Sequence, residues 1–425
     1  MGKLKAGAVR REITPPPGTN LYGYILRFGS MRGVHDPLWA HFLAVDDGQE
    51  QIILISLDVL HMSCDYAERV RAEISRELGL KKNNIILACT HTHSAPGMHI
   101  FRNGGERNIE WEENVFEVLL QGAVEAARSR EEVSWAGGVG FSYIGKNRRK
   151  TLGPADPYFP LICFRDRKNK MNAVVASYGC HPVVLDETNL LSSADYVGFF
   201  RAHLAEMLGG EAVALFFTGA CGDVDPIERG KFSIADGFGR ELANEAARII
   251  ENMDFKEEAV IEAREEPLVI PFGWIPSLEE AEEVYKRCQF EHKKAEESGK
   301  KDEIKVKKAF LLWAEELRQK AEKGELPSSL ECSLQCLKLG EAYILAFPFE
   351  LFSSISLSIR EKSGKGILLM AGYANGYCGY LADKASFAEK GYEVEDAHKY
   401  CGLLPLSSQA EEIFKQRAVS ILNLL

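Results

Sequence analysis

Hydrophobic residues along this chain fall into short unbroken runs, separated by segments with helical spacing. Residues 51–58 (QIILISLD) and 84–89 (NIILAC) are continuous apolar runs, typical of strands that are buried on both faces of a sheet. Between them, residues 65–80 carry apolar side chains three or four positions apart, which predicts an amphipathic helix. This order predicts a strand–helix–strand crossover unit, in which the polar residues at the strand ends are placed to meet a ligand.

The same alternation returns further along the chain, which predicts an α/β fold with central β-sheets flanked by helices. We predict a single domain over residues 1–425. The further predicted strands are 173–178, 212–217, 342–347 and 366–370, and the further predicted helices are 197–208, 233–250 and 350–362.

Residues 277–323 differ from the rest in being dense in Glu and Lys. The pattern predicts two helices broken at Ser298 and Gly299, and Ser277 followed by Glu280 has the spacing of a capping box. Gly324 is placed to end the second helix. We expect a solvated helical hairpin inserted within the domain, with a lid over the functional site as the alternative interpretation.

Composition excludes several classes of function. The net charge of −11 argues against a nucleic-acid partner, because phosphate binding needs a clustered positive surface. No segment has the roughly 18 unbroken apolar residues of a membrane-spanning helix. The ten cysteines are scattered without a CxxC pair, and the basic N-terminus has no apolar signal-peptide run. We therefore expect reduced thiols and a cytoplasmic location.

Candidate chemistry begins directly after the second buried strand, at Thr90-His91-Thr92-His93-Ser94. In an extended chain residues i and i+2 project to the same face, so two imidazoles at this spacing can meet one metal ion. A pair of hydrogen-bonded structural histidines is the alternative. Spacing alone leaves both interpretations open.

Three further polar clusters each follow the end of a predicted strand. They contain His181 in GCHP, Glu350 in FPFE, and the tyrosine-rich segment 372–380. Each is weak by itself, since a single histidine or glutamate usually has a structural role. Together with the histidines of the first cluster they indicate a site at the edge of a sheet. Asp58, His35 with Asp36, and Asp223 are candidates for orienting ligands, with structural capping as the alternative.

Five sequence segments, taken in their order along the chain, resemble segments of the catalytic domain of the neutral/alkaline non-lysosomal ceramidases. They are THTHSAPG (90–97), GCHP (179–182), TGACGDVDP (218–226), FPFE (347–350) and ANGYCGYLADKASFAEKGYE (374–393). The opening segments VRREITPPPG (9–18) and GVHDPLWA (33–40) fit as well, so the resemblance covers nearly the whole chain.

The resemblance implies a ceramidase-like catalytic domain with one Zn²⁺ ion, held by His91, His181, Glu350 and Tyr380. It places His93 beside the ion, where an imidazole that titrates near neutral pH can transfer a proton. It also implies that Arg148 and Tyr392 donate hydrogen bonds to the oxyanion of a tetrahedral intermediate. The implied activity is a zinc-dependent hydrolase, an amidohydrolase that cleaves C–N or ester bonds with metal-activated water.

This sequence departs from the family at one catalytic position. The serine that the family carries ahead of its Gly-Asp-x-Ser-Pro loop falls on Gly219, and we interpret the nearby Cys221 as a buried structural thiol. We therefore expect a mechanism without a serine nucleophile. The expected substrate is a small-molecule amide or ester, smaller or more polar than ceramide, which leaves a role in lipid metabolism open.

Two other functions are compatible with the same residues. One is a metal-dependent lyase or isomerase acting on a hydroxy-acid or sugar-like substrate. The other is a non-catalytic metal- or ligand-binding protein, motivated by Gly219 at the serine position. The sequence does not predict an oligomeric state.

Overall fold

The computed structural model describes residues 3–150 and 153–425 and has a large mixed sheet of eight strands as its centre. The strand order is β11-β9-β8-β6-β1-β3-β4-β5, with parallel pairs β4–β5 and β9–β11 and antiparallel pairs between the other neighbours. Its strands are β1 (Lys5–Glu12), β3 (Trp39–Asp46), β4 (Gln51–Leu57), β5 (Ile85–Cys89), β6 (Glu131–Phe141), β8 (Tyr158–Asp166), β9 (Met171–Tyr178) and β11 (Val213–Thr218).

A second sheet of four strands, in the order β13-β14-β15-β17, packs on one face of the first. Its β15–β17 pair is parallel. The strands are β13 (Ile261–Pro271), β14 (Ser329–Leu339), β15 (Ala342–Ala346) and β17 (Ile367–Ala371). Three two-stranded pairs complete the strands: β2 (Gly33–Val34) with β10 (Leu191–Ser192), β7 (Gly145–Asn147) with β12 (Val224–Pro226), and β16 (Glu350–Leu351) with β18 (Tyr380–Leu381).

The alternation of side chains along each strand explains why the two sheets pack together. In β3, Leu43 and Val45 join a core shared with Leu337 and Ile344 of the second sheet, while Phe42 points into the opposite layer. Successive side chains of a strand point to opposite faces, so an all-apolar strand fills two layers at once. Each fully buried Val or Leu stabilises this core by about 1.5–3 kcal/mol.

Helices cover the two outer faces, so the molecule is built of four layers. Helices α1 and α2 cover one half of the large sheet, α3 and α4 cover the other half, and α7 and α11 cover the small sheet. The helices are α1 (Cys64–Leu78), α2 (Ile109–Arg128), α3 (Asp195–Met207), α4 (Phe232–Glu251), α5 (Leu278–Ser298), α6 (Lys301–Lys323), α7 (Ser353–Ser363), α8 (Lys384–Glu389), α9 (Tyr392–Glu395), α10 (Ala397–Tyr400) and α11 (Ala410–Asn423).

The predicted α/β class, with central sheets flanked by helices, is confirmed. One element was wrong: the helix expected over 350–362 begins only at Ser353. Glu350 instead lies in β16, because its backbone N–H donates to the carbonyl of Gly379 at 2.9 Å. The extended backbone directs this carboxylate into the interior, where it is 3% exposed.

The Glu- and Lys-rich segment forms the two helices of a hairpin, α5 and α6. Ser277 caps α5 through the predicted capping box with Glu280, and Gly299 and Gly324 end the two helices in the left-handed conformation. The hairpin has an apolar core of its own and packs on the C-terminal segment, where the indole of Trp313 donates to the carbonyl of Leu403. Its role as an insertion or a lid stays a prediction.

Candidate metal centre

The loops after five strands meet at one edge of the molecule and are joined by backbone hydrogen bonds. The backbone N–H of Cys89 donates to Tyr373, that of Gly372 to Thr218, that of Gly219 to Tyr178, and that of Ala374 to Phe347. These contacts link the carboxyl ends of strands from both sheets. The predicted site residues that follow these strands are therefore brought to one place.

His91 is held in a single orientation by the fold. Its backbone has a φ of 64°, in the left-handed region that non-glycine residues rarely occupy. Its ring stacks on Tyr373 with centroids 3.9 Å apart, and its Nδ1 lies 2.8 Å from the carbonyl oxygen of Leu60. Since a carbonyl only accepts, Nδ1 carries the proton and Nε2 presents its lone pair.

His181 is held in the same way from a different loop. Its Nδ1 lies 3.1 Å from the carbonyl oxygen of Val224, so Nδ1 again carries the proton. Its Nε2 lies 3.0 Å from Oε2 of Glu350, and Nε2 of His91 lies 3.5 Å from the same oxygen. Two Nε2 atoms therefore face an oxygen that only accepts, an arrangement that needs a positive charge, a proton or a metal cation, between them.

Two tyrosines fix the carboxylate of Glu350. Tyr377 donates to Oε1 at 2.6 Å, and Tyr373 donates to Oε2 at 3.3 Å. Burial acts to raise the pKa of Glu350, but the imidazoles of His91 and His181 outweigh it and hold this pKa well below its usual range. The carboxylate is therefore charged and buried beside two imidazoles.

The same electrostatics favour a cation at His181. Burial acts to lower the pKa of His181, but contacts with Cys221 and Glu350 raise it well above its usual value. The site thus stabilises one positive charge next to Glu350. A proton can supply that charge, and a divalent cation supplies more of it.

His93 completes a cluster of three histidines. One ring nitrogen from each of His91, His93 and His181 lies within 4.8 Å of the others, and Nε2 of His93 is 3.3 Å from Nε2 of His91. Nδ1 of His93 is buried without a hydrogen-bond partner among the described residues. The extended geometry expected for the HxH pair was wrong, because His91 adopts a positive φ, yet the two rings still meet.

A glycine missed in the sequence analysis sets the position of His93. Gly23 has a φ of 101°, and a Cβ added there would lie 2.4 Å from Cγ and Nδ1 of the His93 ring. The next residue, Tyr24, packs edge-on against the same ring at 4.8 Å. The segment LYGY, residues 21–24, therefore forms the wall behind His93.

Tyr380 lies beside Glu350 because β16 and β18 pair these two residues. Its hydroxyl accepts a hydrogen bond from Nη2 of Arg148 at 3.2 Å. Burial and the charge of Glu350 raise the pKa of Tyr380 well above its usual value, so the side chain is a phenol when no cation is bound.

Arg148 is engaged on several sides. It binds Asp225 at 3.1 Å and Glu393 at 2.9 Å in addition to Tyr380. Tyr392 is the first residue of α9, half exposed at the rim, with its ring 6.0 Å from that of Tyr380. The fold thus places Arg148 and Tyr392 on the Tyr380 side of the site, and their oxyanion roles stay predictions.

The donor set fits a divalent cation of the zinc type. Imidazole nitrogens and a carboxylate oxygen are ordinary zinc ligands, and the carbonyls that accept from Nδ1 orient two of the rings. Other borderline metals accept the same ligands. The residues that could hold the ion are His91, His181 and Glu350, with Tyr380 and His93 beside them.

Other candidates from the sequence have structural contacts. Asp58 binds Arg201 at 2.6 Å, and Asp223 accepts from Ser353 and Asn147. His35 and Asp36 bind each other at 2.8 Å. Cys221 has no histidine near it in sequence, yet the fold places His181 within hydrogen-bond reach of its thiol. The sulfur of Cys221 also lies 3.0 Å from the hydroxyl of Tyr373.

The functional residues that sequence reasoning missed are mainly tyrosines and carboxylates. Tyr373 and Tyr377 stand in the tyrosine-rich segment that the analysis singled out, but nothing in their spacing showed that they bind Glu350. Asp225 and Glu393 bind Arg148 from segments far apart in sequence.

Within the described residues, none of the helices has the length and hydrophobicity that spanning a lipid bilayer requires.

Comparison with known proteins finds ceramidases among both the sequence matches and the structural matches. The family model "Neutral/alkaline non-lysosomal ceramidase, N-terminal" matches residues 5–142. The neutral ceramidases of Drosophila pseudoobscura pseudoobscura and Drosophila melanogaster are 25% and 24% identical over 254 residues. These matches cover 52% of this chain but only 36% of the Drosophila proteins.

Solved structures match over the whole chain. The neutral ceramidase from Pseudomonas aeruginosa has a TM-score of 0.74 at 17% identity, covering 100% of this chain and 75% of its own. A ceramidase complexed with C2 has a TM-score of 0.76 at 15% identity and is covered to 76%. The chain is therefore similar to the neutral/alkaline non-lysosomal ceramidases: it matches their N-terminal family model in sequence over residues 5–142 and has the fold of neutral ceramidase structures over its whole length.

Proposed function

We propose that this protein is a zinc-dependent hydrolase that cleaves an amide bond. One observation carries the proposal: Nε2 of His91 and Nε2 of His181 both face the charged Oε2 of Glu350, at 3.5 and 3.0 Å, and all three side chains are buried. Such a set of donors is stable only around a positive charge. The match to the ceramidase family model supports a hydrolase, and the relatives are named as ceramidases.

Zn²⁺ bound at these residues would polarise the carbonyl of the scissile bond and lower the pKa of a water molecule in its coordination sphere. The remaining steps belong to the protein. His93, whose Nε2 lies 3.3 Å from Nε2 of His91, is placed to accept a proton from the attacking water and to return it to the leaving amine. Because Gly219 offers no hydroxyl, water rather than a side chain is the nucleophile.

The Tyr380 side of the site is placed to stabilise negative charge. Arg148 holds the Tyr380 hydroxyl at 3.2 Å, and the two carboxylates that bind Arg148 keep its guanidinium in place. Arg148 and Tyr392 can then donate to the oxyanion that forms as water adds to the carbonyl, beside Tyr380, which we retain as the fourth proposed zinc ligand. Losing one such donor typically raises the barrier by about 2.7–4 kcal/mol.

For the substrate we propose a small or polar N-acyl amide rather than a long-chain lipid. Three charged side chains, Arg148, Asp225 and Glu393, stand next to Tyr380 and favour a polar group there. An ester of similar shape is the second substrate to test. We also retain the predicted cytoplasmic location as part of the proposal, supported by ten cysteines that are all free.

The test uses the purified full chain, stripped of metal with a chelator and reloaded with one equivalent of zinc. N-acyl amides and esters of increasing acyl length are assayed in ¹⁸O-labelled water. We expect zinc-dependent turnover, ¹⁸O in the released carboxylate, and faster turnover of the shorter or more polar acyl substrates. Turnover without ¹⁸O in a carboxylate would indicate a lyase or isomerase. One zinc per chain with no turnover on any substrate would contradict the hydrolase and favour a binding protein.

A further inference from the structure

Three cysteines from distant parts of the chain meet beside the metal centre. Cys64 is the first residue of α1, Cys332 lies in β14, and Cys378 lies in the loop between β17 and β18. The sulfur atoms of Cys64 and Cys378 are 3.6 Å apart, and Cys378 is also within hydrogen-bond reach of Cys332. Cys378 is therefore the common neighbour of two other thiols.

The contact between Cys64 and the loop is closely packed. A Cβ added at Gly376 would lie 2.5 Å from the sulfur of Cys64, so only glycine allows this approach. The backbone N–H of Tyr377 donates to the same sulfur. Cys64 is exposed while Cys378 is buried, so a small solute reaches the pair from the Cys64 side.

The loop that carries Cys378 also holds Glu350. Tyr377, one residue before Cys378, donates to Oε1 of Glu350 at 2.6 Å. Gly379, one residue after it, accepts from the backbone N–H of Glu350 at 2.9 Å. A change in the backbone at Cys378 is therefore passed to the carboxylate of the metal centre through both of its neighbours.

We propose that Cys64 and Cys378 are a site of reversible oxidation, at which a disulfide forms and weakens metal binding by Glu350. Hydrogen peroxide oxidises the Cys64 thiol to a sulfenic acid and is reduced to water. The Cys378 thiol then attacks that sulfur and releases a second water molecule, so two thiols and one peroxide give one disulfide and two waters. Cys332 can then exchange with this disulfide. Its sulfur attacks Cys378, so that the Cys332–Cys378 bond forms as the Cys64–Cys378 bond breaks, and the Cys64 sulfur takes up the proton that Cys332 loses.

Closing the pair requires movement. A disulfide has an S–S length near 2.05 Å, so the sulfur atoms must approach from 3.6 Å. Since α1 packs in the core of the large sheet, the loop at Cys378 is the part that moves. The hydrogen bond with Cys378 and burial raise the pKa of the Cys64 thiol, so we expect the oxidation to be slow.

The cross-link is tested by mass spectrometry on the full chain. Zinc-free protein is treated with excess hydrogen peroxide, alkylated, and digested without reduction. We expect free thiols to fall from ten to eight and the Cys64 and Cys378 peptides to be joined. In Cys64→Ser, which lacks the thiol that peroxide oxidises, we expect no link to Cys378, and in the control Cys288→Ser the wild-type link. Absence of any link to Cys378 in the wild type would overturn the proposal.

The effect on the metal centre is tested by zinc titration, and this part rests on the proposed function. We expect the cross-linked wild type to bind zinc at least tenfold more weakly than the reduced protein, with recovery after a phosphine reductant. The double variant Cys64→Ser/Cys332→Ser should keep its affinity after peroxide. Unchanged affinity in the cross-linked wild type would overturn the coupling. Failure of the reduced protein to bind zinc would instead count against the proposed function, while the mass spectra still decide the cross-link.

Discussion

At the residue scale, the metal centre depends on the orientation of a few nitrogen and oxygen atoms. The backbone carbonyls of Leu60 and Val224 accept hydrogen bonds from Nδ1–H of His91 and His181, and two tyrosine hydroxyls donate to Glu350. All of these partners come from outside the ligand set. Their effect is to leave lone pairs and a negative charge at one point, which is the physical basis of the proposed zinc site.

Removing the charge of Glu350 while keeping its size should abolish tight metal binding. We expect Glu350→Gln to weaken zinc binding by on the order of 100-fold or more, since even indirect partners of a metal typically contribute 10–100-fold. Zinc content after dialysis and a competition titration measure this. Glu361→Gln, an exposed site on α7, is the matched control. Wild-type zinc content in Glu350→Gln would reject Glu350 as a ligand.

The role of His93 is separated from that of His91 by a second variant. We expect His93→Ala to keep its zinc and to lose about 10²–10⁴-fold in turnover, the usual contribution of a general acid–base. Zinc content and kcat are measured on the same preparation. Loss of zinc instead would make His93 a ligand, as its 3.3 Å contact with His91 allows.

A methyl group at Gly23 tests whether the position of His93 matters. In Gly23→Ala the new Cβ meets the His93 ring at 2.4 Å, so the ring must move. We expect kcat to fall at least tenfold with zinc retained, and unfolding free energy to fall by about 1–3 kcal/mol from the left-handed backbone. Gly18→Ala is the control, because its φ of 93° gives similar strain with nothing within 4 Å. Equal kcat in the two variants would show that the contact has no catalytic effect.

At the element scale, apolar runs and helical periodicity gave most of the strands and helices around the site. Residues 51–58 and 84–89 were predicted as buried strands and match β4 and β5 closely, because both faces of these strands are covered. The longer strands β1, β3, β6, β8, β13 and β14 were not predicted; in β13, for example, the consecutive charged residues 264–266 interrupt the alternation. Glu350 was misplaced in a helix, because its strand partner lies thirty residues away in β18.

The candidate site could be predicted only in part for the same reason. Sequence spacing brought His91 and His93 together, but the meeting of His91, His181 and Glu350 depends on loops from two sheets. The family resemblance supplied that grouping. It did not supply the positive φ of His91, the wall at Gly23, or the tyrosines on Glu350, since these depend on backbone geometry and long-range packing.

The docking of α10 on the hairpin predicts an acid-sensitive contact. His398 packs edge-on against Trp313 of α6, and burial, aided by Lys399, lowers its pKa to about 3. An unfolded histidine titrates near 6.5, so between pH 6.5 and 3 only the unfolded chain binds this proton. The contribution of the neutral, buried His398 to the free energy of unfolding is therefore fully present above pH 6.5 and is lost as the pH falls. At pH 5 this loss is at most about 2 kcal/mol.

Urea unfolding between pH 7.5 and 5 tests this prediction, because it measures the free energy of unfolding at each pH. The unfolding free energy of the wild type should decline across this range, and His398→Gln should decline less steeply whatever its stability at pH 7.5. Parallel curves for the two proteins would show that His398 does not titrate as its burial implies.

At the scale of the whole molecule, the metal centre joins the two sheets. His91 and His181 follow strands of the eight-stranded sheet, while Glu350 and its tyrosines follow strands of the four-stranded sheet. A cation among them is therefore held by both halves of the β core. The pair of thiols of Cys64 and Cys378 lies at the same junction, because Cys64 is in a helix that packs on the large sheet and Cys378 is in a loop that follows a strand of the small sheet.

The most direct measurement is an anomalous-scattering map at the zinc edge, from crystals of the full chain grown with one equivalent of zinc. We predict a single strong peak about 2.0–2.2 Å from Nε2 of His91, Nε2 of His181 and a carboxylate oxygen of Glu350. A peak elsewhere in the molecule, or none at these three side chains, would contradict the account.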